Sequence, residues 1–283
     1  MNKLVYDVKA KVVNNIKVAE RVYRLELDMP KISAKLRAGQ FMHLRIGTGV
    51  DPLLRRPFSL YKIIKAKKGA KKLVGIMYQV VGKGTLLLTE KQPGETVEVM
   101  GPLGNGFSIT DKILKKERII LVSGGIGVVP LVSLAQELKR KTKARITAFV
   151  GVGTKQDLVC VQELKSIGCD VKVSTDDGSK GFKGYVSQLL EESLTKRSTL
   201  NPERYIYACG PFPMLRALSM IAKKYEIPGQ VSVDEMMGCG IGACLGCVIK
   251  TKDKNSKDKD AVLYKRICKD GPVFDVDEIV WED

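Results

Sequence analysis

Through residues 1–108 apolar and polar positions alternate in short runs, VYDVKAKVV, RVYRLELDM, QFMHLRI, KLVGIMYQVV and ETVEVM, parted by the turn signals AGQ, GKGT and PGE. A period of two bounded by Gly and Pro predicts antiparallel strands curled into a barrel. From residue 117 the pattern changes. ERIILVS gives way to GGIGVVP, then to PLVSLAQELKRK, where Leu131, Leu134, Ala135 and Leu138 share one helical face, then to ARITAFVGV. Strand, glycine loop, helix and strand make a βαβ unit, which implies a parallel sheet. VKVSTDD, YVSQLLEESL and RYIYACG continue that alternation to about residue 228. The last 55 residues hold few long apolar periods and four of the seven cysteines. They are too few to bury much of a core, so a metal centre is expected to staple them. The predicted fold is mixed β and α/β: an antiparallel β-barrel domain at 1–110, a parallel-sheet α/β domain at 111–228 and a small cysteine-rich domain at 229–283.

Composition narrows the function classes. With 283 residues, 44% of them hydrophobic, the chain is long enough for two compact domains and a small third. Its first twenty residues alternate apolar and polar rather than forming a secretory leader, and no run approaches the roughly 18 apolar residues of a spanning helix. A cytoplasmic protein is expected, in which clustered cysteines read as metal ligands rather than disulfides; the odd count of seven agrees. The formal net charge of +17 raises a nucleic-acid reading. The excess, however, lies in KAKKGAKK (65–72) and KTKDKNSKDKD (250–260), which lack interleaved aromatics, and the second is mixed in sign. Solvated loops, or a surface suited to acidic partners or anionic cofactors, are the better reading.

DEMMGCGIGACLGCVIKTK, residues 234–252, places three cysteines within nine residues. Cys239, Cys244 and Cys247 form C-x4-C-x2-C, and Cys268 follows after a further twenty residues. This is the spacing style of plant-type [2Fe–2S] sites, in which four thiolates hold two irons. Gly238, Gly240, Gly242 and Gly246 suit a loop that must turn backbone N–H groups toward negative sulfur. Zinc is the principal rival, although its usual pair of C-x2-C repeats is incomplete here. Cys160 and Cys169 flank an amphipathic segment and read as small buried apolar residues.

Two further stretches carry candidate chemistry. In SGGIGVVP, Gly124, Gly125 and Gly127 stand between a strand and a helix with Pro130 in its first turn, so backbone can approach a pyrophosphate at the helix N-terminus. A tight turn without a ligand is the alternative. YACGPFPML (207–215) follows at another strand end, where ligands of open parallel sheets collect, and Cys209 there reads either as core or as lining a nicotinamide pocket. In RRPFSLY (55–61) an arginine at a strand end offers a fork to a pyrophosphate and a nearby hydroxyl could meet a flavin edge. Alone that signal is weak.

Taken in order, RRPFS, SGGIGVVP and CGPFPM resemble the ferredoxin reductase family of flavoproteins. With CGIGACLGC and YKRICKDGPVF appended, the chain resembles the electron-transfer subunits of type B dihydroorotate dehydrogenases over essentially its whole length. The resemblance implies an FAD-binding barrel, an NAD-binding α/β domain and a [2Fe–2S] domain. It implies FAD contacts from Arg56, Pro57, Phe58 and Ser59, from Met77, Tyr78 and Gln79, and from Gly84 and Thr85. NAD pyrophosphate is implied near Gly124, Gly125 and Gly127, nicotinamide near Cys209, Gly210 and Pro211, and cluster ligation by Cys239, Cys244, Cys247 and Cys268. Phe58 stands where many reductases carry tyrosine, so one phenolic contact to flavin is missing. The Lys/Asp insert before Cys268 reads as a loop extension.

The chemistry implied is electron transfer without a catalytic acid or base. NADH carries a hydride, a [2Fe–2S] cluster passes single electrons, and FAD can do both. The implied partner is an FMN-containing catalytic subunit oxidising dihydroorotate, with two chains of each in a heterotetramer; neither nucleic acid nor a membrane is expected. The sole histidine, His43, reads as structural, which argues against a Rieske centre. Related subunits of NADH-dependent ferredoxin:NADP⁺ oxidoreductase or sulfide dehydrogenase complexes are the alternative, but in them an aspartate replaces one cysteine ligand. A lysine-rich, zinc-stabilised binding module is the reading from another class. NAD is favoured over NADP because no arginine pair awaits a 2′-phosphate, with Asp157, Asp176 and Asp177 as unplaced candidates for the ribose.

Overall fold

The computed structural model describes residues 4–47, 49–65, 72–195, 203–258 and 260–281. Most of the lysine-rich stretch at 65–72 lies outside the described residues. The N-terminal part is a seven-stranded antiparallel sheet of β1 (Tyr6–Ala19), β2 (Val22–Asp28), β3 (Phe41–Arg45), β4 (Arg56–Ser59), β5 (Lys62–Lys65), β6 (Lys72–Gln79) and β7 (Thr96–Leu103), in the order β4-β3-β7-β1-β2-β6-β5. Residues 56–65 curl it. Phe41 of β3 pairs with Ser59, the Tyr61 N–H then donates to the Gly75 carbonyl of β6, and Lys62 pairs with Gly75. One bent segment therefore joins both edges of the sheet, which is how a barrel removes its exposed edges. Inside, Leu25, Leu27, Met42, Leu44, Val74, Ile76 and Val99 alternate into a common core.

GKGT, expected as a turn, instead opens a helix, Lys83–Thr89. The Thr85 hydroxyl accepts from the N–H groups of Val81 and Gly82, satisfying donors that a helix start leaves without intrahelical partners.

The second sheet is built from β8 (Arg118–Gly124), β9 (Arg145–Val152), β10 (Asp170–Thr175), β11 (Phe182–Lys183), β12 (Arg204–Cys209), β13 (Gly229–Ser232) and, after a hairpin of β14 (Val248–Lys252) and β15 (Val262–Arg266), β16 (Val273–Asp275). Its order is β11-β10-β9-β8-β12-β13-β16, parallel except for the β13–β16 pair. Thus two strands from the cysteine-rich segment extend the sheet that carries the glycine loop. The helix Val128–Lys141 buries Leu131, Leu134, Ala135 and Leu138 as its periodicity requires. Its first turns are also buried on the remaining faces, Val128, Val129 and Val132 included, because they are wedged between sheet and barrel. The Lys/Asp stretch begins in β14 and its described residues continue into the connection to β15, where Lys254 pairs with Asp275 and Asp277. Among the described residues no helix is long and apolar enough to cross a membrane.

Barrel and α/β sheet are joined by buried side chains. The Tyr61 hydroxyl, on a fully buried side chain at the barrel closure, donates to Glu163 Oε1 at 2.9 Å. The Tyr207 hydroxyl donates to the Ser108 carbonyl at 2.7 Å, and the Cys160 thiol meets Met77 Sδ at 3.6 Å. Cys160 and Cys169 are both buried, and burial pushes the Cys169 thiol up to about 11 and the Cys160 thiol higher still, so both stay protonated apolar fillers. Tyr61→Phe leaves Glu163 without this donor and is expected to cost about 1–2 kcal/mol. Thermal unfolding of the cofactor-loaded chain checks this: a fall of a few degrees is the expected result, and an unchanged midpoint would show that the bond adds nothing.

Candidate functional site

The carboxyl ends of β8 and β12 lie side by side, Ser123 pairing with Cys209. The loops that follow are pressed together. A Cβ added at Gly127 would come within 2.3 Å of the Cys209 carbonyl oxygen, one at Gly124 within 2.8 Å of the Pro211 ring, and one at Gly210 within 2.8 Å of the Gly124 nitrogen. Gly124, Gly127 and Gly210 are therefore glycines because two backbones meet. Gly125 differs: its φ is +54°, and a Cβ there would meet nothing within 4 Å. Its backbone faces open space, as close approach to a phosphate requires.

That space is a cavity of 590 Å³ between barrel and sheet. Arg56, Pro57, Phe58 and Ser59 line it from β4; Met77, Tyr78 and Gln79 from β6; Thr85 from the short helix; and Gly124, Gly125, Gly127, Cys209, Gly210 and Pro211 from the two loops. Of the residues expected to touch flavin or nucleotide, only Gly84 is absent from the wall, and it packs behind it: a Cβ there would sit 3.3 Å from Arg56 Nε. Walls that are mostly apolar, with a few convergent polar groups, suit a flat heteroaromatic ring. Residues that pattern reading missed also line the cavity, among them Phe41, Ile126, Asp234, Met237 and Pro272. The signal for Asp234 and Met237 was their adjacency to the cysteine run. Burial, and then the charge of Asp234, pushes the Cys209 thiol up to about 12, so it presents a neutral sulfur.

A second cavity of 780 Å³ adjoins the first through Gln79, Gly124, Gly125, Ile126 and Pro211. Asp157, Asp176 and Glu20 bring three carboxylates to it, while Asp177 is turned to Ser179. Carboxylates suit ribose hydroxyls and repel an added phosphate.

The four cysteines lie in two pairs. The Cys244 N–H donates to Cys239 Sγ at 3.4 Å, and the Cys268 N–H donates to Cys247 Sγ at 3.4 Å. Burial opposes ionisation of Cys239, but the N–H groups of Cys244, Ile241 and Ala243 aimed at its sulfur outweigh that and bring the thiol down to about 6. Burial, with Cys247 beside it, pushes Cys268 up to about 12. Among the described residues no three His, Cys, Asp or Glu side chains converge as a site for one metal ion. Two thiol pairs with backbone donors on their sulfurs fit a binuclear centre of two irons better than a single zinc. Gly240 and Gly242 take positive φ, +72° and +83°, as does Leu245 at +58°. Gly238 and Gly246 instead flank the Cys244 sulfur, where added Cβ atoms would stand 3.5 and 3.7 Å away. Cys244 is exposed, as are Met236, Ile241 and Leu245 on the same stretch of chain.

One side chain stands between the cavity-lining strand β4 and the cysteine loop. His43 is fully buried in β3, beside Pro57 of β4, and a Cβ added at Gly240 would lie 2.8 Å from its Cε1 and Nδ1. Burial, then Arg55 and Arg56, lowers its pKa to about 4, so the ring is neutral.

A barrel that presents a flavin-sized cavity to the glycine loop of a parallel sheet, with a cysteine loop alongside, defines a ferredoxin reductase-like oxidoreductase. Family models agree in the same order: an oxidoreductase FAD-binding domain over residues 8–107, an oxidoreductase NAD-binding domain over 121–220 and the iron–sulfur cluster binding domain of dihydroorotate dehydrogenase B over 234–280. The electron transfer subunit of dihydroorotate dehydrogenase B (NAD(+)) from Desulforamulus reducens is 38% identical over 96% of this chain and 98% of its own length; that from Geobacillus kaustophilus is 40% identical over 93% and 94%. Among solved structures, an NADH-dependent reduced ferredoxin-NADP oxidoreductase superposes with a TM-score of 0.78 at 29% identity, covering 99% of this chain and 92% of that one. The ferredoxin reductase of carbazole 1,9a-dioxygenase, at 0.66 and 19% identity over 80% and 68%, shares the fold. The chain belongs to the family of dihydroorotate dehydrogenase B electron transfer subunits, and its cofactors are FAD, NAD(H) and an iron–sulfur cluster.

Cys244→Ser is expected to abolish stoichiometric iron and its visible spectrum while leaving FAD bound, because the flavin cavity does not include Cys244. Iron and flavin analysis of the purified variant checks this; full iron content would remove Cys244 from the ligand set.

Proposed function

We propose that the chain passes electrons between an FMN-containing subunit that oxidises dihydroorotate and NAD⁺, as the electron-transfer half of a type B dihydroorotate dehydrogenase serving pyrimidine synthesis. One observation carries the reading: Met237 lines the flavin-sized cavity and Cys239, the first cluster cysteine, stands two residues further on. The bound groups would supply the chemistry, FAD exchanging a hydride with the nicotinamide and single electrons with a [2Fe–2S] cluster. The protein's own residues bind, orient and shield.

In this reading residues 1–110 carry the flavin, 111–228 the nucleotide and 229–283 the cluster, the last segment lending two strands to the second sheet. Arg56 offers its guanidinium to the flavin pyrophosphate; Pro57, Phe58, Ser59, Met77, Tyr78 and Gln79 wall the ring; Thr85 holds the helix start, with Gly84 giving Arg56 room. Gly125 gives its bare backbone to the nucleotide pyrophosphate, while Gly124 and Gly127 let the loop seat against Cys209, Gly210 and Pro211 beside the nicotinamide. Asp157 and Asp176 bind the adenosine ribose and favour NAD⁺ over NADP⁺. Cys239, Cys244, Cys247 and Cys268 ligate the two irons. No side chain acts as a general acid or base, since electron transfer needs none.

The partner would dock where Cys244 is exposed, on a stretch that also exposes the apolar Met236, Ile241 and Leu245, side chains suited to excluding water between two redox centres. Two chains of each kind would form a heterotetramer, and the unpaired thiols belong in a reducing compartment such as the cytoplasm. A second reading rests on the 29% identical oxidoreductase structure, in whose class this chain would serve a different electron partner. Cysteine at all four ligand positions favours the first.

The test is to isolate the chain anaerobically with whatever binds it and assay dihydroorotate-dependent reduction of NAD⁺. Activity from a complex containing FMN, FAD and iron is the expected result. An FAD- and iron-containing complex that ignores dihydroorotate but reduces a ferredoxin or polysulfide would overturn it in favour of the second reading.

A further inference from the structure

Buried polar groups in folded proteins nearly always have partners, and one that lacks them asks for a ligand to account for it. His43 has no exposed surface, and neither of its ring nitrogens has a hydrogen-bond partner among the described residues. A neutral imidazole still carries one N–H to donate and one lone pair to satisfy.

Its position says where the missing partner lies. His43 pairs with Pro57 across β3 and β4 and with Met100 across β3 and β7, so its backbone is fixed by the strand that walls the flavin cavity. Two residues earlier on the same strand face, Phe41 lines that cavity, and its ring meets the His43 ring edge-on at 5.8 Å between centroids. His43 itself is not in the cavity wall. Its Cε1–Nδ1 edge lies against Gly240, the residue after Cys239 in the cysteine loop. Any side chain at 240 would strike the ring, and the φ of +72° there favours glycine in any case. The loop is bare where the imidazole reaches it.

We propose that His43 donates its imidazole N–H to a sulfur of the iron–sulfur cluster held by the adjacent cysteine loop, and so sets the potential of that cluster. The inference rests on the four-cysteine reading above. A donor aimed at cluster sulfur stabilises the reduced, more negative form and raises the reduction potential, as hydrogen bonds to the sulfurs of such clusters do. It also ties the loop to the strand that carries the flavin contacts, so one ring would fix both the energy of the cluster and its place beside the flavin.

Because His43 is the sole histidine, the chain can be interrogated without ambiguity. An untagged protein grown with ¹⁵N-histidine, its other nitrogens ¹⁴N, is reduced, and the cluster is examined by pulsed electron paramagnetic resonance. A weak ¹⁵N coupling is expected, and it disappears in His43→Leu. In that variant the ratio of reduced to oxidised cluster at the wild-type midpoint is expected to fall about tenfold, 59 mV for one electron, and His43→Gln, which keeps a donor, recovers part of the loss. The wild-type labelling needs no variant to fold. A cluster signal with no ¹⁵N coupling overturns the inference alone. A strong coupling of directly bound nitrogen makes His43 a ligand and overturns it too. A shifted flavin potential beside an unchanged cluster potential assigns the N–H to flavin instead. Protein without iron overturns the four-cysteine reading, and the inference with it.

Discussion

The whole arrangement depends on one short length of chain having to satisfy three neighbours at once. Residues 232–239 leave the last parallel strand, cross the wall of the flavin-sized cavity and arrive at Cys239, the first cysteine of the cysteine loop. Ser232 pairs with Cys209 in the sheet, Val233, Asp234 and Met237 face the cavity, and Cys239 follows. A shift in any of these contacts would move the others, because backbone pairing on one side and tight packing on the other leave little slack. Nucleotide loop, flavin wall and cluster loop are thereby held in a fixed relation without a long linker.

The same economy governs the barrel. It is closed by a bent segment rather than by an added strand, and that segment supplies Arg56 to Ser59 for the cavity and Tyr61 for the junction with the α/β sheet. Pro272 and Phe274 return from the cysteine-rich region to complete the cavity wall and the second sheet. The cysteine-rich region is therefore anchored by two of its own strands, β13 and β16, added to its neighbour's sheet, which offsets its shortage of apolar sequence. It is braced further at Asn105, whose N–H and side-chain amide donate to the carbonyls of Gly271 and Asp270.

What could be read in the sequence had a period or a spacing. The helix Val128–Lys141 and strands β8, β9 and β12 showed in their apolar recurrence, and the cysteine spacing pointed to a cluster. GQVS and VFD did not, being three or four residues long and defined by what flanks them in space. GKGT misled because glycine marks helix starts as readily as turns. The glycines of SGGIGVVP, read as one phosphate loop, all line the cavity, but the packing of Gly124 and Gly127 against Pro211 and Cys209 was not visible in the sequence. The burial of His43 was foreseeable from its strand. That its nitrogens find no partner, and that its ring meets the cysteine loop nearly two hundred residues away, follows only from the fold.

On the proposed function, flavin and cluster exchange electrons within a single chain, between the cavity that Met237 lines and the cysteine loop that His43 touches. The direct measurement is rapid anaerobic mixing of NADH with the isolated, fully loaded chain at several protein concentrations, following flavin absorbance and the cluster's resonance signal. Flavin bleaching is expected to be followed by cluster reduction at a rate independent of dilution. Flavin bleaching with the cluster left oxidised, or reduced only through collisions between chains, would contradict it.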